Sequence, residues 1–228
     1  MLLRIVVARP GHHNFRGIIN IPELTAKTFC ESFLRAHDKA RAAFTKDRWK
    51  EIWNSHRKEL WNALMLWQPT PTFRPPEEIE RSVLAETASD LGLEYGNGEP
   101  LRLDAVFVSK QQETWSPMLV AIEHENDCRE FELEVRKLLS VRCQLKVGIT
   151  YIFKSTAKRL RNPEYIRHII GEEWAKISSV IGEDQKTEYL FLVGIEVPER
   201  QVELSWYAIT FRGCEGTQKR TFEGATQI

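Results

Sequence analysis

The amino-acid sequence predicts an α/β protein with a helical N-terminal extension, and three observations carry that prediction. Apolar residues recur at three- and four-residue steps through residues 25–67, as in Trp49, Trp53, Leu60 and Leu64. That is the period of helices burying one face. Residues 68–76, QPTPTFRPP, hold four prolines and end any helix. Beyond them, helical and strand-like runs alternate, the pattern of a sheet covered by helices. The expected organisation is a helical region over residues 1–75 and a main unit over residues 76–228.

Taken in order, Leu2 to Val7 is an apolar run suited to a strand or a packed arm. FCESFLRAHDKARAAF and RWKEIWNSHRKELWNALMLW follow as polar, amphipathic helices. Pro76 with Glu77, Glu78 and Glu80 makes a helix start, since acids there oppose the helix dipole, and Gly92 is its stop. LRLDAVFVSK and PMLVAIEHEN read as strands, CREFELEVRKLLSVRCQ as a helix and LKVGITYIF as a buried strand. Residues 155–182 are helical in pattern, and TEYLFLVGIEV and VELSWYAITFRG are strands joined by a turn around Pro198. From Pro76 the expected order is helix, three strands, helix, strand, then a helix and two more strands.

Composition excludes several classes. With 42% hydrophobic and 28% charged residues among 228, the chain can bury one sizeable core. Lys+Arg and Asp+Glu each number 32, so nucleic-acid binding requires its basic residues to cluster. Cys30, Cys128, Cys143 and Cys214 form no CxxC pair, which argues against structural zinc and for a reducing compartment. The opening MLLRIVVARPGHH is too short and too early polar for a signal peptide. No apolar run approaches the roughly 18 residues of a membrane span. The expectation is a soluble, cytoplasmic protein without a membrane partner, with His12, His13 and Cys128 structural.

Three groups of acids stand out. Glu80 falls in the middle of the apolar stripe formed by Ile79, Val83, Leu84, Ala88 and Leu91 if the helix runs from Pro76. An acid there must be paired, protonated or metal-bound, and Arg102 or Arg81 would serve as a partner. Asp104 interrupts the strand LRLDAVFV, sharing a face with Arg102, Val106 and Val108, although aspartate is depleted in strand interiors. Glu123 and Glu125 close the apolar run VAIEHEN, and alternate strand residues share a face. Paired strands bring Asp104 opposite Glu123, making an oxygen-rich pocket suited to Mg²⁺ or Mn²⁺. The alternative is that lysines or arginines from neighbouring elements balance these acids in an interaction protein.

Asp104, the triplet Glu123-His124-Glu125 and the preceding Glu80, in the order helix, three strands, helix, strand, resemble the PD-(D/E)xK nuclease superfamily. The resemblance covers about a third of the chain and implies a restriction-endonuclease-like core with an N-terminal helical extension and further C-terminal strands. It implies a metal-dependent DNA endonuclease, or a catalytically inactive relative serving as a nucleic-acid-binding or assembly module. Asp104, Glu123 and the His124 backbone carbonyl would hold one or two Mg²⁺ or Mn²⁺ ions, with Glu80 directly or through water. Leu103 stands where the pattern has proline, and Glu125 where it has lysine. Glu125 would then position or deprotonate the attacking water, or add a ligand. Lys137, on the following helix, is the candidate replacement lysine, against a plain surface pairing with Glu134 or Glu130. The His124 ring points to the opposite face and is expected to pack.

Phosphates need cations, and the densest basic run is KSTAKRLRNPEYIR. Lys154, Lys158, Arg159, Arg161 and Arg167 are candidates to grip the backbone of a nucleic acid, with Tyr165 for stacking, or else form an ordinary helix surface. Trp49, Trp53, Trp61 and Trp67 are expected in the core or on a homodimer surface.

Overall fold

The computed structural model describes residues 23–55, 57–66, 79–97, 102–110, 117–153, 163–181, 187–197, 203–212 and 225–227. Three helices come first: α1 (Ala26–Ala42), α2 (Lys46–Ser55) and α3 (Arg57–Leu66). They are followed by α4 (Val83–Asp90), β1 (Leu93–Asn97), β2 (Ala105–Ser109), β3 (Met118–Glu125), α5 (Phe131–Ser140) and β4 (Leu145–Ile152). The chain then runs through α6 (Pro163–Ile181), β5 (Glu188–Glu196), β6 (Leu204–Arg212) and β7 (Ala225–Gln227). This is a mixed α/β architecture. The seven strands form one sheet in sequence order. β3, β4 and β5 run parallel, because α5 and α6 carry the chain back between them, and the outer pairs are antiparallel.

Strand alternation divides the core into two layers. Val120, Ile122, Val147, Ile149 and Tyr151 face α1 to α4, sharing a cluster with Phe29, Phe33, Trp49 and Trp61. Ala121, Ile152, Phe191 and Val193 face α5 and α6, packing with Phe131, Val135, Leu138, Ile166 and Ile170. Every residue of β4 is buried, as a central parallel strand covered on both faces must be. Trp49, Trp53 and Trp61 belong to the core; Trp67 lies outside the described residues, as do the linker and the arm at Leu2 to Val7. No helix among the described residues is long and apolar enough to cross a membrane.

Two boundaries differ from expectation. α4 starts at Val83, because the Ser82 hydroxyl accepts the Ala85 amide at 3.1 Å and caps the helix there. Glu80 is therefore exposed on the non-helical approach to α4, not in mid-stripe. Its proposed place at a metal is corrected accordingly: it is absent from the acid cluster described below. The stop at Gly92 is as expected, with φ of 70°. β2 starts at Ala105 instead of Leu101, because Arg102 adopts φ of 57° and breaks the extended chain. Leu103 is consequently buried on the α5 side, in the cluster that Val106 also joins.

Candidate metal centre

Register positions the acids. β2 and β3 pair with Ala105 opposite Ile122, so Asp104 lies beside Glu123 at the end of the ladder. The Asp104 Oδ2 accepts the His124 backbone N–H at 2.8 Å, which fixes its carboxylate against β3. Glu123 is fully buried on the α5 face. It is the parallel partner of Gly148, where an added Cβ would come within 2.7 Å of both Phe131 and Phe191. That missing side chain lets α5 settle close over β3. α5 in turn contributes Glu134 and Lys137, one helical turn apart.

Asp104, Glu123 and Glu134 each offer a carboxylate oxygen, all within 4.8 Å of one another. Lys137 joins them. Its Nζ is 3.0 Å from each Glu123 oxygen, donates to the Arg102 carbonyl at 3.3 Å and pairs with Glu134. Glu123 Oε1, fully buried, accepts no hydrogen bond. Burial, the adjoining Glu134 carboxyl and the Asp104 charge push the Glu123 pKa up to about 10, against the opposing pull of Lys137. Burial also lowers the Lys137 pKa, but hydrogen bonds to Glu134 and Glu123 outweigh it and the net shift is upward.

The other triplet residues diverge. Glu125, half-buried, accepts the Asp127 amide at 2.7 Å. Burial raises its pKa, partly opposed by that hydrogen bond. The His124 ring is buried on the opposite face, 2.9 Å from the Tyr151 hydroxyl, and burial lowers its pKa to about 4. A neutral imidazole packed there does not enter the site; the His124 amide does. Beside the end of β3, Asn126 donates to Asn62 of α3, which brings Lys58, one turn earlier on that helix, to the same side. The Lys58 charge is felt by both Glu125 and Asp127.

No family model and no curated protein matches this chain. Among solved structures, the crystal structure of the central domain of yeast acetyl-CoA carboxylase aligns with 82% of it, at 10% identity and a TM-score of 0.33. The chain spans about a third of that structure's length (34%). Such a likeness is too slight to bear on fold or activity.

Glu134 is the member of the cluster that sequence reasoning treated as a surface partner alone. Its signal was the Glu134–Lys137 spacing, which gives both side chains one face of α5. Lys154, Lys158, Arg159 and Arg161 lie outside the described residues. Arg167 pairs with Glu164 at 2.8 Å, and Tyr165 packs against the α5 side of the core.

Proposed function

We propose that this chain is a metal-dependent nuclease hydrolysing DNA phosphodiester bonds, built on a restriction-endonuclease-like core. The observation that carries the reading is the convergence of Asp104, Glu123 and Lys137 from three separate elements. The run α4, β1, β2, β3, α5, β4 supports it, since helix, three strands, helix, strand is the order the resemblance implies. The donor set fits a hard cation: three carboxylates, with two buried oxygens, Glu123 Oε1 and Glu134 Oε2, lacking a hydrogen bond of good geometry.

Asp104, Glu123 and Glu134 are the residues that hold Mg²⁺ or Mn²⁺ in this reading. Bound there, a divalent ion lowers the pKa of a water and offsets charge on the phosphoryl oxygens. The His124 amide keeps Asp104 oriented. Glu125, on the same strand face as Glu123 and with a raised pKa, accepts the proton of the attacking water. Lys137 supplies the positive charge that the motif otherwise carries on the strand. Lys58 meets a phosphate flanking the scissile one.

The rival, an inactive nucleic-acid-binding module, is favoured by Glu125 at the position of the motif lysine. A supercoiled-plasmid assay separates them. With Mg²⁺ or Mn²⁺ the wild type is expected to yield nicked and linear DNA, and EDTA or Asp104→Asn to abolish it. DNA binding without cleavage would support the inactive module instead.

A further inference from the structure

The ammonium of Lys137 sits on two of the three acids that would hold a metal ion, Glu123 and Glu134. Four oxygens surround it: both of Glu123 at 3.0 Å, the Arg102 carbonyl at 3.3 Å and a carboxylate oxygen of Glu134. A lysine has three N–H donors, and here Glu123, Glu134 and Arg102 are the three groups they meet. Divalent ions hold carboxylate oxygens at about 2.0–2.6 Å. An ion bound by Glu123 and Glu134 would therefore press against Nζ, with like charges in contact and little water between them. The two cations compete for these oxygens.

We infer that Lys137 is a displaceable internal counterion, which holds the buried acids together in the metal-free protein and gives way when a divalent ion binds. The inference rests on the metal-site reading proposed above. Three features favour displacement over permanent occupancy. The Lys137 side chain is 37% exposed although Glu123 beside it is fully buried, and its flexible four-carbon stem lets the charge swing toward solvent without unfolding α5. Glu123 Oε1 and Glu134 Oε2 both lie beside Nζ but are buried without a hydrogen bond of good geometry, so one ammonium leaves the cluster incompletely satisfied. Lys137 also meets only two of the three acids, Glu123 and Glu134, whereas a divalent ion can take an oxygen from all three. The consequence is a site whose metal affinity is set by competition, with Lys137 released toward the phosphate when the ion arrives.

Calorimetric titration of the full chain with MnCl₂ tests this, comparing wild type with Lys137→Met. The variant is expected to bind Mn²⁺ about tenfold more tightly or better, because the ion no longer displaces a bound charge. Equal or weaker binding by the variant would overturn the displacement while leaving the metal site standing. Heat from neither protein would overturn the metal site, and the inference with it. Lys137→Met leaves the acids without a counterion and risks misfolding, so a second measurement uses the wild type alone. Reductive methylation of Lys137, read by mass spectrometry against the 84%-exposed Lys27, should accelerate when Mn²⁺ is added. Labelling that slows or stays the same would overturn the inference.

Discussion

Replacing Glu123 by glutamine should stabilise the metal-free protein at neutral pH, although it removes a fully buried residue that Lys137 contacts. Glutamine keeps the volume and an oxygen for Lys137, and Lys137 retains Glu134 as its charged partner. What disappears is a carboxyl whose pKa rises from an ordinary 4.5 to about 10 on folding. Such a group binds its proton more tightly in the native state, so its contribution is fully favourable below pH 4.5 and declines as pH rises toward 10. At pH 7 the gap from 4.5 is about 2.5 pH units, which at about 1.36 kcal/mol each amounts to about 3 kcal/mol. Glu123→Gln should recover up to that amount, a rise in melting temperature of roughly 6 to 12 °C for a chain of this size. The assay is urea or thermal unfolding in EDTA at pH 4.5 and pH 7, with the difference between wild type and variant vanishing at the lower pH. A variant less stable than wild type at pH 7, or a difference independent of pH, would refute the reasoning.

Asp104→Asn keeps an oxygen for the His124 amide and sheds one repelling charge, so without metal it should melt at or above wild type. Added Mn²⁺ at a hundred times Kd should stabilise wild type by about 2.7 kcal/mol and the variant little, as differential scanning calorimetry would show. Glu125→Ala should abolish plasmid cleavage while leaving DNA affinity intact; surviving cleavage would mean another group handles the water. Lys58→Ala should weaken DNA binding uniformly across sequences and lower the salt-dependence slope by about 1, measured by fluorescence anisotropy. Gly148→Ala should cost about 1–3 kcal/mol in urea unfolding, because the new methyl forces Phe131 or Phe191 aside beneath the cluster.

Much of this arrangement was readable in the residues themselves. The parity of VAIEHEN gives Glu123 and Glu125 one face, and strand pairing brings Asp104 opposite, because a period of two leaves few alternatives. Lys137 was readable as a candidate from the need for a cation, but not its reach: helix periodicity puts it off the apolar face without saying how closely α5 lies on β3. That closeness depends on Gly148, which strand propensity treats as a weakness. Glu134 was hidden for the same reason, since on sequence alone it is one of several acids within a turn of Lys137. Glu80 misled because Pro76 and its glutamates make a good helix start, whereas Ser82, six residues on, is the cap that forms. Nothing local marks Arg102 as left-handed, and β7, three residues long, carries too short a pattern to read.

The proposed nuclease activity requires a divalent ion between Asp104, Glu123 and Glu134. Crystals grown in EDTA and soaked in MnCl₂, with diffraction collected at an energy where manganese scatters anomalously, locate it directly. The expected result is an anomalous peak between the carboxylates of Asp104, Glu123 and Glu134, with the Lys137 ammonium moved away from Glu123. Ordered carboxylates with no peak between them, and Lys137 still bound to Glu123, would contradict it.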